Sequence, residues 1–98
     1  MRAETELVAD VAFVAATAVD RASGLLGWIA VTVVGGLRID GITLRRTREG
    51  RLTLSFPERT DRAGRRHALV RPVNAEARRA LEGAIFDALG LVRAEDAP

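Results

Sequence analysis

Cysteine and lysine are absent from this chain of 98 residues, and histidine occurs once. Without cysteine there is no disulfide and no thiolate metal cluster. With one histidine, His67, there is no spacing of nitrogen, sulfur and carboxylate ligands that could hold a metal. His67 stands beside Arg65 and Arg66 and reads as a surface residue rather than a ligand or base. Aromatic residues make up 4% of the chain, so paired aromatic platforms for stacking bases are not expected. The longest uncharged run, Ala22 to Leu37, is sixteen residues and contains four glycines. A membrane span needs about 20 apolar residues, so the run reads as buried strands. The start, MRAETEL, is acidic and has no signal-peptide pattern. The expected location is cytoplasmic, with no membrane partner.

What is present is arginine. All fifteen basic residues are arginine, and they are unevenly placed. Residues 38–79 hold twelve arginines against five acids, a local charge of +7, while the flanking segments carry −2 and −3. Guanidinium is planar, permanently charged and suited to bidentate contact with phosphate. A basic centre between acidic ends points to an anionic partner, nucleic acid first.

The length fits one domain, 1–98, with a modest core. Residues 8–17 read as a strand, with a short helix as the rival because of their alanine content, and 18–24 as a turn. Residues 26–34 read as a strand with Ile29, Val31 and Val33 in alternation. Gly35-Gly36 is a two-residue hairpin signal. In the strand 37–46, Leu37 and Ile39 lie in one phase, Ile42 and Leu44 in the other. That flip at Asp40-Gly41 is what a β-bulge produces. TREG is the next turn. Strand 51–56 points Leu52, Leu54 and Phe56 inward, and Pro57 ends it. Residues 58–66 read as a polar loop and 67–73 as a short last strand. Asn74 is an N-cap, a helix runs from Ala75 to about Leu89, and Gly90 follows as its C′ residue. Ala77, Leu81, Ala84, Ile85 and Leu89 form its apolar stripe. Residues 91–98 read as a frayed tail. The predicted class is α+β: an antiparallel sheet of about five strands, bulged once, with one C-terminal helix on one face. The other face carries Thr43, Arg45, Arg51, Thr53 and Ser55.

The ordered set of a strand pair, LRIDGITLRR, a Gly turn, SFP, an ERT…G…R loop and RPVN opening a helix resembles the stage V sporulation protein G family, the bacterial septation regulators. The resemblance runs from about Trp28 to Phe86. It implies a small sheet-plus-helix homodimer that binds DNA and RNA and acts in gene regulation, septation and sporulation, with no catalytic centre. The family's Pro-x-Lys-Arg-like stretch matches Pro57, Glu58 and Arg59; its Gly turn and following arginine match Gly64 and Arg66. Its His-Pro-Ile-Asn matches Arg71, Pro72, Val73 and Asn74. Glu58 stands where lysine is common, Arg65 where an aromatic is common, and Arg71 replaces histidine.

The candidate nucleic-acid-binding residues are therefore Arg59, Arg62, Arg65, Arg66, Arg71, Arg78 and Arg79, with Arg45, Arg46, Arg48 and Arg51 as a secondary strip. Contacts would be led by the phosphate backbone. Trp28 reads as core or interface. The acidic pairs Glu4/Glu6 and Glu95/Asp96 show nothing that would separate their pKa values for acid–base work. No nucleophile–base pair and no phosphate-binding glycine motif is present, so no catalytic residue, cofactor, metal or small-molecule substrate is expected. The rival reading is a protein–protein adaptor in cell division, docking through the open sheet face or an edge strand.

Overall fold

The computed structural model describes residues 7–91. The acidic pairs at the two ends, and the expected frayed tail from residue 92 onward, lie outside the described residues. The elements run β1 (Val8–Ala15), α1 (Ala18–Ala22), β2 (Leu25–Val33), β3 (Leu37–Arg46), β4 (Leu52–Ser55), β5 (Glu58–Thr60), β6 (Arg66–Ala68) and α2 (Ala75–Leu89). The class is α+β, as the pattern predicts. The strands divide into an antiparallel four-stranded sheet, in sequence order β1-β2-β3-β4, and a two-stranded ribbon, β5-β6.

The core lies between one face of the main sheet and α2. Ile29, Val31, Ile39, Ile42, Leu44 and Leu54 come from the sheet, Ile85 and Phe86 from the helix. The helix is fixed at both ends. Asn74 Oδ1 accepts from the Ala77 amide at 2.7 Å, satisfying an orphan donor of the first turn. Gly90 adopts φ +73° and closes the C-terminus. Leu81, Ala84 and Leu89 are half-buried and Ile85 fully buried, as the stripe requires. Phe86, also fully buried, falls outside that stripe and widens it.

The bulge at Asp40-Gly41 is present. Ile29 pairs with Ile42 and Val31 with Ile39, so β3 carries one extra residue, and Gly41 has φ +80°. This is what lets Ile39 and Ile42, three apart, share the buried face. β1 bulges as well, between Ala9 and Ala12, with Asp10 at φ +52°. Arg38 Nη1 ties that bulge down, donating to the Asp10 carbonyl at 2.6 Å and to Thr32 Oγ1 at 3.0 Å. A bulged edge strand is a poor template for further pairing.

Four expectations need correction. The β2–β3 turn is centred on Val34 and Gly35, both at positive φ, and the Gly36 amide donates to the Val33 carbonyl at 3.1 Å. Gly35-Gly36 therefore sits one residue late, and Val34 occupies a left-handed position. The last strand, expected over 67–73, covers only Arg66–Ala68. The segment 18–24 contains a short helix, capped by Thr17 Oγ1, which accepts from the Asp20 amide. Residues 58–66 are not wholly loop: β5 and β6 pair through Glu58–Ala68, Arg59–His67 and Thr60–Arg66. No helix among the described residues is long and apolar enough to cross a membrane.

Candidate nucleic-acid interface

The ribbon is organised by one carboxylate. Asp61 Oδ1 accepts from the Ala63 and Arg65 amides, each at 2.9 Å. Its Oδ2 lies 2.8 Å from His67 Nε2 and 3.1 Å from Arg65 Nε. The His67 contact, then the Arg65 amide and the other donors, stabilise the carboxylate form and outweigh partial burial. They hold the Asp61 pKa below the ordinary aspartate range. The turn is closed further by the Gly64 amide, which donates to the Asp61 carbonyl at 3.0 Å.

Strand alternation then splits the predicted loop patch. Glu58, Arg66 and Ala68 line a cleft between the ribbon and the main sheet, whereas their neighbours Arg59 and His67 do not. The cleft has a volume of about 710 Å³. Thr43, Arg45 and Ser55 lie along it from β3 and β4; Arg71, Pro72 and Arg78 complete it from the chain entering α2 and from α2 itself. Four arginines from four separate stretches of sequence thus line one cleft together with one carboxylate, Glu58. Thr43 and Ser55 are cross-strand partners, so their side chains share the face away from the core.

The four arginines are held differently. Arg66 Nε lies 3.3 Å from Glu58 Oε1, and both side chains are well exposed. Pairs of this kind contribute little and exchange readily for other anions. Arg45 and Arg71 are exposed, and neither side chain is paired with another described residue. Arg78 is fixed three ways. It donates through Nη2 to the Leu54 carbonyl on β4. It pairs through Nε with Glu82 one turn along the helix, at 3.3 Å. Its guanidinium carbon lies 5.7 Å from the centroid of the Phe56 ring, within cation–π range. A cation in the first turns of a helix opposes the dipole; these contacts offset that cost.

Of the predicted primary set, the cleft gathers Arg66, Arg71 and Arg78. Arg59 and Arg62 are exposed elsewhere on the ribbon and its loop, and Arg65 is tied to Asp61. Arg79, the next helical position after Arg78, is exposed and outside the cleft. The secondary strip also divides. Arg45 enters the cleft, while Arg46, Arg48 and Arg51 surround the β3–β4 turn. Sequence reasoning missed Phe56 as the support under Arg78, and the hydroxyls of Thr43 and Ser55 as cleft groups.

Beyond the cleft the open face also carries an exposed apolar pair. Val14 pairs with Trp28, and Trp28 with Thr43. One cross-strand row therefore runs from Val14 and Trp28 to Thr43 and Ser55. Trp28 is 39% exposed and Val14 64% exposed, so Trp28 belongs to the uncovered face and not to the core. Among the described residues no group of three or more His, Asp or Glu is placed to hold a metal ion. Comparison with protein-family models, curated proteins and solved structures gives no match for this chain.

Proposed function

We propose that the protein is a non-catalytic nucleic-acid-binding regulator, gripping phosphates through its arginine cleft. The observation that carries this reading is the convergence of Arg45, Arg66, Arg71 and Arg78 on one concave surface with the Thr43 and Ser55 hydroxyls. Guanidinium forks and hydroxyls are the groups that bind phosphate and sugar. The resemblance to the septation regulators, with DNA or RNA as target and a role in septation or sporulation control, belongs to the same proposal.

The test is a binding titration of labelled random-sequence single- and double-stranded oligonucleotides across salt concentrations. Three phosphate contacts, from Arg45, Arg66 and Arg71, give a log–log slope of about −2 on single strands. Charge reversal at Arg65 and Arg66 weakens binding and flattens the slope. Binding that is absent at low salt, or indifferent to salt, overturns the proposal.

A second reading has its own observation, the exposed Val14–Trp28 pair on the uncovered sheet face. Such a surface suits a protein partner. It supports a homodimer compatible with the first reading, or a cell-division adaptor in its place. A pull-down that survives high salt and nuclease treatment favours the adaptor.

A further inference from the structure

The cleft treats its four arginines unequally, and the difference assigns them different work. Arg45 and Arg71 present exposed guanidinium groups, and Arg66 is held by a solvent-exposed carboxylate. These three can turn toward phosphate. Arg78 cannot do so without losing its bonds to the Leu54 carbonyl and Glu82. Its charge is already matched by Glu82, whose side chain is 14% exposed. What Arg78 offers the cleft is a planar group held in place by these bonds and lying 5.7 Å from the centroid of the Phe56 ring. A guanidinium plane fixed in this way is a surface on which an unpaired base stacks.

We infer that the cleft holds an unpaired nucleotide, with Arg45, Arg66 and Arg71 on the sugar-phosphate backbone and the base stacked on Arg78. This rests on the nucleic-acid reading above and sharpens it, because a base can stack there only when it is free of its complementary strand. The cleft volume, about 710 Å³, is that of a small-ligand cleft. It is large enough for a nucleotide splayed from a strand. The preference for single strands therefore comes from one arginine acting as a platform, without the exposed aromatic pairs of sheet-type RNA readers.

The experiment compares a fluorescent thymidine oligonucleotide with an abasic sugar-phosphate strand of equal length and charge, and with a duplex, at one fixed salt concentration. Stacking of one base predicts binding of the thymidine strand roughly 5- to 150-fold tighter than the abasic strand, with the duplex weaker than the thymidine strand. Arg78→Lys keeps the charge and removes the plane. It reduces that ratio toward one while affinity for the abasic strand persists. Phe56→Leu keeps an apolar side chain under Arg78 and removes the ring; it reduces the ratio in the same direction, which covers the case in which Arg78→Lys fails to fold. Equal binding of the thymidine and abasic strands by the unaltered protein overturns the stacking role and leaves the nucleic-acid reading standing. Failure of every strand to bind overturns both.

Discussion

Val34 is the position at which the fold works against its own sequence. It is β-branched, it heads the β2–β3 turn, and its φ is +51°. Left-handed backbone costs an L-residue about 1–2 kcal/mol, and bulky β-branched residues are the least suited to it. The side chain gains little in return, being 62% exposed. Full burial of a valine contributes about 1.5–3 kcal/mol, so the share lost on replacement is about 0.6–1 kcal/mol. Val34→Asn, which tolerates this conformation, should therefore stabilise the protein by several tenths of a kcal/mol up to about 1 kcal/mol. For a domain of this size 1 kcal/mol corresponds to a rise of about 4–8 °C in Tm. The amide that Val34 donates to the Leu7 carbonyl, at 3.0 Å, is retained in the variant. Val34→Thr is the control, since it is also β-branched and should give no gain. Thermal melts, with urea unfolding to check that the slope m is unchanged, measure the effect. A Val34→Asn protein no more stable than the Val34→Thr one would refute the reasoning about this turn.

Gly27 is the opposite case. A Cβ there would lie 2.4 Å from the Val14 carbonyl oxygen and 2.6 Å from two atoms of the Phe13 ring. Backbone cannot yield cheaply, so Gly27→Ala should cost at least about 2 kcal/mol by denaturant unfolding. Gly83, in the middle of α2, has open space at its Cβ position, and Gly83→Ala should stabilise by about 0.5–1 kcal/mol in the same assay. Asp61 carries a depressed pKa, so its contribution to ordering the β5–β6 turn is complete above the ordinary aspartate range. It is lost as pH falls through the lower folded-state value. Protection of the Ala63 and Arg65 amides from exchange, taken relative to the unstructured rate at each pH and followed by NMR, should fall only in that acid window, and Asp61→Asn should abolish this change in protection. The homodimer is tested by light scattering at working concentration; it predicts twice the chain mass, and a monomer mass contradicts it.

The elements most legible in the sequence are those whose determinants are local or periodic. The phase flip around Asp40-Gly41 announced the bulge, and Asn74 and Gly90 marked the ends of α2 because caps are short-range chemistry. The β2–β3 turn was less accessible. Pairing of the buried faces fixes the register of β2 on β3, and the turn must accept whatever residues remain, including Val34. α1 is too short to show a period. β5 has no apolar alternation, since Glu58, Arg59 and Thr60 are all exposed. Its pairing depends on the Asp61 turn and on Leu69 and Val70 amides donating to the Pro57 carbonyl.

The cleft was legible in part for the same reason. Its arginines stand out by composition, but β5–β6 pairing decides that Arg66 faces the sheet while Arg59 does not. Two of the three contacts that immobilise Arg78 join residues 24 and 22 positions apart, Leu54 and Phe56. No local pattern marks those.

The central claim is that the arginines gathered in the cleft grip a polyanion. Its most direct test is the salt dependence of single-strand binding by the double variant Arg66→Ala, Arg71→Ala, with thermal melting confirming that the fold is intact. Loss of two phosphate contacts should reduce the magnitude of the log–log slope by about 1.4, together with weaker binding at low salt. A slope and affinity equal to those of the unaltered protein would contradict the account.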